Sequence, residues 1–156
     1  MAVFSILYNK INGATVLDLF CGSGALGIEA ISRGAAFCSF IDINLSNFRL
    51  NMNLLDRTNY DYFEGDIFKV IKNLNRAYDI IFIDPPYGMY SCQKILNIIA
   101  INSLIKYNGI IIYEESVRNI ITVDKNRFFI LKEKIYGDAK IYAIGVNNGD
   151  NISGHL

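Results

Sequence analysis

The sequence has few of the residues on which many enzymes depend. It has one histidine, His155, in a polar segment at the carboxyl terminus, and three cysteines, Cys21, Cys38 and Cys92, without metal-ligand spacing. Nucleophilic catalysis by Ser-His or Cys-His pairs and zinc sites built from histidine are therefore excluded. We expect the cysteines to be small buried thiols and expect no bound metal.

Long apolar runs and an excess of charge of one sign are also missing. Runs such as residues 80–83 and 109–113 are far shorter than the roughly 20 residues that span a bilayer. Residues 1–10 lack the basic start and long apolar centre of an export signal, so we expect a cytoplasmic protein. The 15 basic residues balance 15 acidic ones. This balance argues against a strongly basic nucleic-acid-binding protein, unless acidic residues collect in one cleft.

Short β-branched runs alternate with segments of helical period, a pattern typical of a parallel sheet. The predicted strands are residues 15–20, 37–42, 60–64, 78–84, 109–114, 128–135 and 140–146, and the predicted helices are residues 25–33, 45–55, 67–73 and 92–105. The length suits one domain, residues 1–146, followed by a flexible tail at 147–156. We therefore predict a Rossmann-like, doubly wound α/β fold whose seven-stranded, mostly parallel sheet ends in an antiparallel hairpin.

The first predicted strand ends in a glycine-rich loop that leads into a helix. Gly22, Gly24 and Gly27 satisfy the G-x-G-x-x-G pattern, and Asp42 ends the next strand 20 residues after Gly22. The first two glycines let the backbone approach a ligand, the third lets the helix pack on the sheet, and Asp42 could bind two ribose hydroxyls. NAD, FAD and S-adenosylmethionine all carry such a ribose. Asp18 favours the last, because its carboxylate would repel a pyrophosphate and attract the cationic amino-acid end of S-adenosylmethionine.

A second motif, Asp84-Pro85-Pro86-Tyr87, follows the most apolar predicted strand. Two prolines cannot continue a central strand, so they form a rigid turn at the carboxyl edge of the sheet, where ligands of this fold bind. An exocyclic amino nitrogen is a poor nucleophile while its lone pair is delocalised into the ring. The Asp84 carboxylate and the Pro85 carbonyl, each accepting a hydrogen bond from this nitrogen at about 3 Å, would weaken that conjugation, and Tyr87 would stack on the base. The two motifs together predict methylation of a planar amino nitrogen.

With these features the sequence resembles the methyltransferases that carry Asp/Asn-Pro-Pro-Tyr/Phe, and within them the bacterial small-subunit ribosomal RNA guanine-N2 methyltransferase family. The similarity extends from residue 2 to about residue 146 and is carried by residues 2–7, 16–30, 32–35, 79–88 and 136–138. It implies the class I methyltransferase fold. It also implies transfer of a methyl group from S-adenosylmethionine to the 2-amino group of a guanine in 16S ribosomal RNA, either free or in an assembling small subunit, with S-adenosylhomocysteine as product. We expect the protein to act as a monomer.

The resemblance assigns roles to particular residues. Asp84, Pro85 and Tyr87 would bind the guanine. The cofactor would be held by Asp18, Phe20, Gly22, Ser23, Gly24, Asp42, Ile43, Asp66, Ile67 and Asp84. Asp66 has two compatible roles, because it could bind the adenine amino group or cap the helix that follows it. The family's arginine-rich N-terminal segment has no counterpart in this sequence, so we expect weaker RNA binding.

Other functions stay open at the level of sequence. A dinucleotide-dependent oxidoreductase would use the same glycine-rich loop and Asp42, although the chain has no room for a second substrate domain. The methylated nitrogen could belong to adenine or to a protein glutamine instead of guanine. A methyltransferase fold that has lost catalysis could serve only as an RNA-binding module.

Overall fold

The computed structural model describes residues 2–147 of the chain; the predicted tail and His155 lie outside this range, apart from Asn147. Within this range the strands are β1 Thr15–Leu19, β2 Phe37–Asp42, β3 Tyr60–Glu64, β4 Tyr78–Ile83, β5 Ile105–Ser116, β6 Phe128–Tyr136 and β7 Ala139–Val146. The α-helices of the described residues are α1 Ala2–Ile6, α2 Ala25–Ser32, α3 Ser46–Arg49, α4 Ile67–Val70 and α5 Cys92–Ile101. Within residues 2–147 no helix is long and apolar enough to cross a membrane.

The strands form one sheet in the order β3-β2-β1-β4-β5-β7-β6. The first five strands are parallel, and β7 runs antiparallel to both β5 and β6. This arrangement confirms the predicted doubly wound fold with its antiparallel hairpin. The connections after β1 and β4 leave toward opposite edges of the sheet, so a crevice opens between the carboxyl ends of these two strands.

Both faces of the sheet are covered by helices, which explains why the central strands are apolar on both sides. On one face Val16, Phe82 and Ile112 pack with α1, α2 and α3. On the other face Leu17 and Ile81 pack with α4 and α5. Because successive side chains of a strand point to opposite faces, the face of any strand residue can be followed by counting in twos.

Two predicted helices are broken in the structure. The segment predicted as a helix at 45–55 is α3 followed by a 3₁₀ turn at Met52–Leu54, and the segment at 67–73 is α4 followed by a 3₁₀ turn at Ile71–Asn73. α3 ends at Arg49, and Asn51, between α3 and the 3₁₀ turn, donates through its Nδ2 a hydrogen bond of 3.0 Å to the Ser23 carbonyl in the glycine-rich loop.

The last helix is shorter than predicted and the strand after it is longer. α5 ends at Ile101 because Ser103 adopts a left-handed conformation with φ of +53°. The N–H of Leu104 then bonds to Ile99 O and the N–H of Ser103 to Ala100 O, which is the Schellman pattern of helix termination. The chain enters β5 at Ile105 and not at residue 109, with an irregular register opposite the start of β4.

Candidate active site

A cleft of about 660 Å³ lies at the carboxyl edge of the sheet, beside the crevice between β1 and β4. Its volume is in the range of small-molecule binding sites. The residues that line it are Phe20, Gly22, Asp42, Ile43, Asp66, Ile67, Asp84, Pro85, Pro86, Tyr87, Met89 and Tyr90. The fold therefore brings most of the predicted cofactor residues into the same cavity as the Asp-Pro-Pro-Tyr segment. Asp18, Ser23 and Gly24 are the predicted cofactor residues that do not line the cleft.

The glycine-rich loop is held in a conformation that side chains would disturb. Gly22 and Gly24 have φ of +55° and +81°, in the left-handed region. A Cβ at Gly24 would lie 2.7 Å from Phe48, and a Cβ at Gly27 would lie 2.4 Å from Phe40 and 2.6 Å from Cys38. Gly27 thus lets α2 pack directly on β2, as predicted. A Cβ at Gly22 would meet no protein atom within 4 Å, because this glycine faces open space where it lines the cleft.

Asp42 fastens the loop to the end of β2 and faces the cleft. Its Oδ2 accepts a hydrogen bond of 2.8 Å from the Gly22 N–H, and its Oδ1 accepts one of 2.7 Å from the Ile43 N–H. A carboxylate has about four acceptor positions, so two backbone bonds leave capacity for hydroxyl groups of a ligand. The geometry fits a residue that both positions the loop and binds a ribose.

Asp18 lies beneath the loop and not in the cleft. Its side chain is 2% exposed, and its Oδ2 accepts a hydrogen bond of 3.0 Å from the Gly27 N–H at the start of α2. Burial raises the pKa of Asp18 to about 8; the Gly27 bond opposes this, and the charges of Asp84 and Asp42 add to it. Burial therefore favours the protonated form of Asp18. Asp18 supports the loop from below. The predicted attraction between Asp18 and a cationic ligand stays a prediction, and the burial of this carboxyl does not favour it.

The start of α4 also contributes to the lining of the cleft. Asp66 caps this helix, because its Oδ1 accepts a hydrogen bond of 2.8 Å from the Phe68 N–H. The capping role predicted from the sequence is confirmed. Asp66 and Ile67 also line the cleft, so the structure is compatible with the second predicted role, binding of an adenine.

The Asp-Pro-Pro-Tyr segment begins where β4 ends. Pairing of β4 with β5 stops at Ile83, so the backbone of Pro85 lies beyond the ladder. Pro85 is buried while Tyr87 is 51% exposed, which leaves a ring face available for stacking. The Asp84 side chain is open to the cleft, yet its surroundings displace part of its hydration. This desolvation, with smaller effects from the charges of Glu114 and Glu115, raises the pKa of Asp84 to about 6.

Sequence reasoning gave no site role to three residues that line the cleft, Pro86, Met89 and Tyr90. Tyr90 packs against Phe20, with ring centroids 5.1 Å apart, and against Phe68, with centroids 5.7 Å apart. Met89 is 68% exposed. The signal available in the sequence was the presence of large apolar side chains in a loop immediately after a strand end, a position where exposed apolar groups mark a binding surface.

The strand order, the glycine-rich loop and the cleft at the switch point define a protein of the class I methyltransferase fold. Residues 1–145 match the family described as Conserved hypothetical protein 95, and the chain belongs to this family. A curated relative from Buchnera aphidicola, named "Ribosomal RNA small subunit methyltransferase D", is 36% identical over 144 residues, which are 90% of this chain and 75% of the relative.

Solved structures agree with this assignment. The yhhF protein of Escherichia coli superimposes with a TM-score of 0.85 at 26% identity, covering 94% of this chain and 85% of that one. A conserved hypothetical protein of Streptococcus pyogenes gives a TM-score of 0.85 at 28% identity, covering 95% and 94% of the two chains. The predicted family and fold are confirmed.

Proposed function

We propose that this protein uses S-adenosylmethionine to methylate the exocyclic 2-amino group of a guanine in the 16S ribosomal RNA, free or in an assembling small subunit. The observation that carries the proposal is that Gly22 and Asp42 line the same cleft as Asp84, Pro85 and Tyr87. A methyl donor and an acceptor base would thus meet in a single cavity. We assign this activity to a single domain, residues 1–146, acting as a monomer and without a metal.

The residues of the cleft suit S-adenosylmethionine. Asp42 keeps acceptor capacity for two ribose hydroxyls after bonding to Gly22 and Ile43. Asp66 and Ile67 line the cleft and would border the adenine, and Gly22 leaves open space for close approach of the donor. When bound, the sulfonium supplies an already activated methyl group, so positioning and electrostatics are what the protein must add.

The Asp-Pro-Pro-Tyr segment suits the acceptor. The Asp84 carboxylate and the Pro85 carbonyl accept hydrogen bonds from the two amino hydrogens, draw the nitrogen toward tetrahedral geometry and direct its lone pair at the methyl group. As the nitrogen bonds to the methyl carbon, the carbon–sulfur bond breaks and its electron pair stays on sulfur. The nitrogen then loses a proton, which ionised Asp84 can accept. Tyr87 holds the base by stacking, and a base in a loop or an unfinished subunit reaches the cleft at a lower unstacking cost than one in a duplex.

The choice of substrate rests on the family. The Buchnera aphidicola relative is named for methylation of small-subunit ribosomal RNA, and guanine as the base is the implication of the resemblance described above. No particular observation in the cleft favours an oxidoreductase or a non-catalytic RNA-binding module.

The experiment is methyl transfer from labelled S-adenosylmethionine to small ribosomal subunits from cells that lack the enzyme, followed by nucleoside analysis. We expect N2-methylguanosine with the wild type and at least a hundredfold slower transfer with Asp84→Ala. The matched control is Asp138→Ala, which removes an exposed aspartate from the turn between β6 and β7 and should leave transfer unchanged.

Different outcomes refute different parts of the proposal. Label in N6-methyladenosine would move the assignment to adenine, and equal transfer by the wild type and Asp84→Ala would remove Asp84 from the mechanism. Thermal stabilisation by NAD, with no stabilisation by S-adenosylhomocysteine, would refute the assignment of S-adenosylmethionine as the cofactor.

A further inference from the structure

Glu114 lies directly beside Asp84 at the carboxyl edge of the sheet. The register of the two parallel strands ends with the pair Ile83 and Tyr113, and Asp84 and Glu114 are the residues that directly follow this pair in the sequence. Neighbouring strands are about 4.8 Å apart. Glu114 is thus the acidic residue that the adjacent strand places closest to the proposed acceptor of the amino group.

Glu114 projects to the face of the sheet that α1 and α2 cover. Ile112, two residues earlier in β5, belongs to the core on this side, whereas Tyr113 belongs to the core on the other side. The alternation of side chains along β5 therefore puts Glu114 on the first of these faces, and Asp84 directly follows the last residue of the neighbouring strand β4. The charge of Glu114 is the largest of the charge effects on Asp84, and it raises the pKa of that carboxyl, in agreement with their proximity.

Glu114 is also connected to the wall of the cleft. The Tyr87 hydroxyl donates a long hydrogen bond of 3.4 Å to Glu114 Oε1, so Glu114 stands beside the ring on which the base would stack. A hydrogen bond to one oxygen orients the carboxylate and leaves the other oxygen free to accept.

Within residues 2–147 the Glu114 side chain forms no other hydrogen bond. The neighbouring Glu115 is 5% exposed and accepts hydrogen bonds from Ser116 N and Asn119 Nδ2, which is a structural role. Glu114 is only partly buried, and within residues 2–147 no lysine or arginine forms a salt bridge with it. A carboxylate held beside a reactive centre without a basic partner is suited to a donor on the substrate.

We infer that Glu114 accepts a hydrogen bond from the N1–H of the target guanine and thereby selects guanine over bases with an unprotonated ring nitrogen at that position. This inference rests on the proposed function. Guanine presents N1–H next to its 2-amino group, so two neighbouring donors face two neighbouring acceptors. Adenine and cytosine present a ring nitrogen lone pair beside their amino groups, and an ionised carboxylate can only accept, so it repels that lone pair.

The test compares guanine with 2-aminopurine at the target position. 2-Aminopurine keeps the 2-amino group that is methylated but has an unprotonated N1. The target is first located by nucleoside mapping, and 16S RNA with either base, made by ligating a synthetic segment, is then assembled with small-subunit proteins. The readout is the ratio of kcat/KM for guanine to kcat/KM for 2-aminopurine. The inference is tested by comparing this ratio in each variant with the ratio in the wild type.

We expect the ratio to fall about tenfold or more in Glu114→Ala, the loss typical of one base-edge contact. Glu114→Gln should retain most activity on guanine, since its amide oxygen still accepts, and should raise activity on 2-aminopurine, since its amide N–H can donate to N1. Glu133→Ala, on the edge strand β6, is the matched control and should keep the wild-type ratio.

The same experiment separates this inference from the function on which it rests. If the wild type makes N2-methylguanosine and the ratio in Glu114→Ala equals the wild-type ratio, the role of Glu114 is refuted while the proposed function stands. If the wild type makes none, both are refuted. Thermal stabilisation by S-adenosylhomocysteine checks that each variant is folded. If Glu114→Ala does not fold, Glu114→Gln takes its place, and a kcat/KM ratio equal to that of the wild type in Glu114→Gln refutes the inference.

Discussion

Replacement of Asp18 by asparagine should change how the stability of this protein depends on pH. Burial beneath the glycine-rich loop raises the pKa of Asp18 from its ordinary value of 3.8 to about 8. Between these two pH values the folded protein holds a proton that the unfolded chain has released, so the free energy of unfolding falls as pH rises from about 4 to about 8. Asparagine cannot ionise and keeps an oxygen that accepts from Gly27 N–H, so this part of the pH dependence disappears.

The size of the effect follows from the pKa. Each pH unit in this interval removes about 1.4 kcal/mol from the wild type, so the variant gains about 3 kcal/mol relative to the wild type between pH 5 and pH 7. The extra buried N–H of the amide costs about 1–3 kcal/mol when unpaired, but this cost is the same at every pH and cancels from the change. The absolute order of stability at pH 5 is therefore not part of the prediction.

Urea unfolding of both proteins at pH 5, 6 and 7 measures the difference, because the other titrating groups are common to both. Asp138→Asn, at an exposed turn, is the control and should run parallel to the wild type. Parallel profiles for Asp18→Asn and the wild type would mean that Asp18 is ionised throughout this range. Asp18 would then not support the loop as a protonated group.

Two further predictions concern Asp84 and the glycine-rich loop. Because the pKa of Asp84 is raised to about 6 and only the ionised carboxyl accepts both a hydrogen bond and a proton, kcat/KM for methyl transfer should rise from pH 5 and level off above about pH 7. Asp84→Asn, which cannot titrate at this position, should lose this pH dependence, and a wild-type rate independent of pH would contradict this role. Gly24→Ala places a Cβ at φ of +81° and 2.7 Å from Phe48, so chemical denaturation should show a loss of about 1–3 kcal/mol. Gly13→Ala, at φ of +77° but in open space, should lose less, and equal losses would exclude the contact with Phe48 as the cause.

The class of fold and the position of the cleft were predictable because they depend on local patterns. The alternation of apolar strands and helical segments is enough to predict a parallel sheet, and parallel strands necessarily present their carboxyl ends at one edge. The loop around Gly22 and the segment from Asp84 to Tyr87 each follow such a strand. Their meeting in one cavity therefore follows from connectivity.

Tertiary structure decided what depends on distant parts of the chain. Asp18 looks like a cofactor residue in the sequence, but packing of Gly27 against β2 buries it beneath the loop. Glu114 belongs to no recognised sequence motif. Only the pairing of β4 with β5, which ends at Ile83 and Tyr113, brings it close to Asp84. The predicted helix at 45–55 breaks where Asn51 bonds to the loop. Local sequence determines which element forms and what chemistry its end carries, whereas burial, protonation and neighbours at the site arise from contacts between residues far apart in the chain.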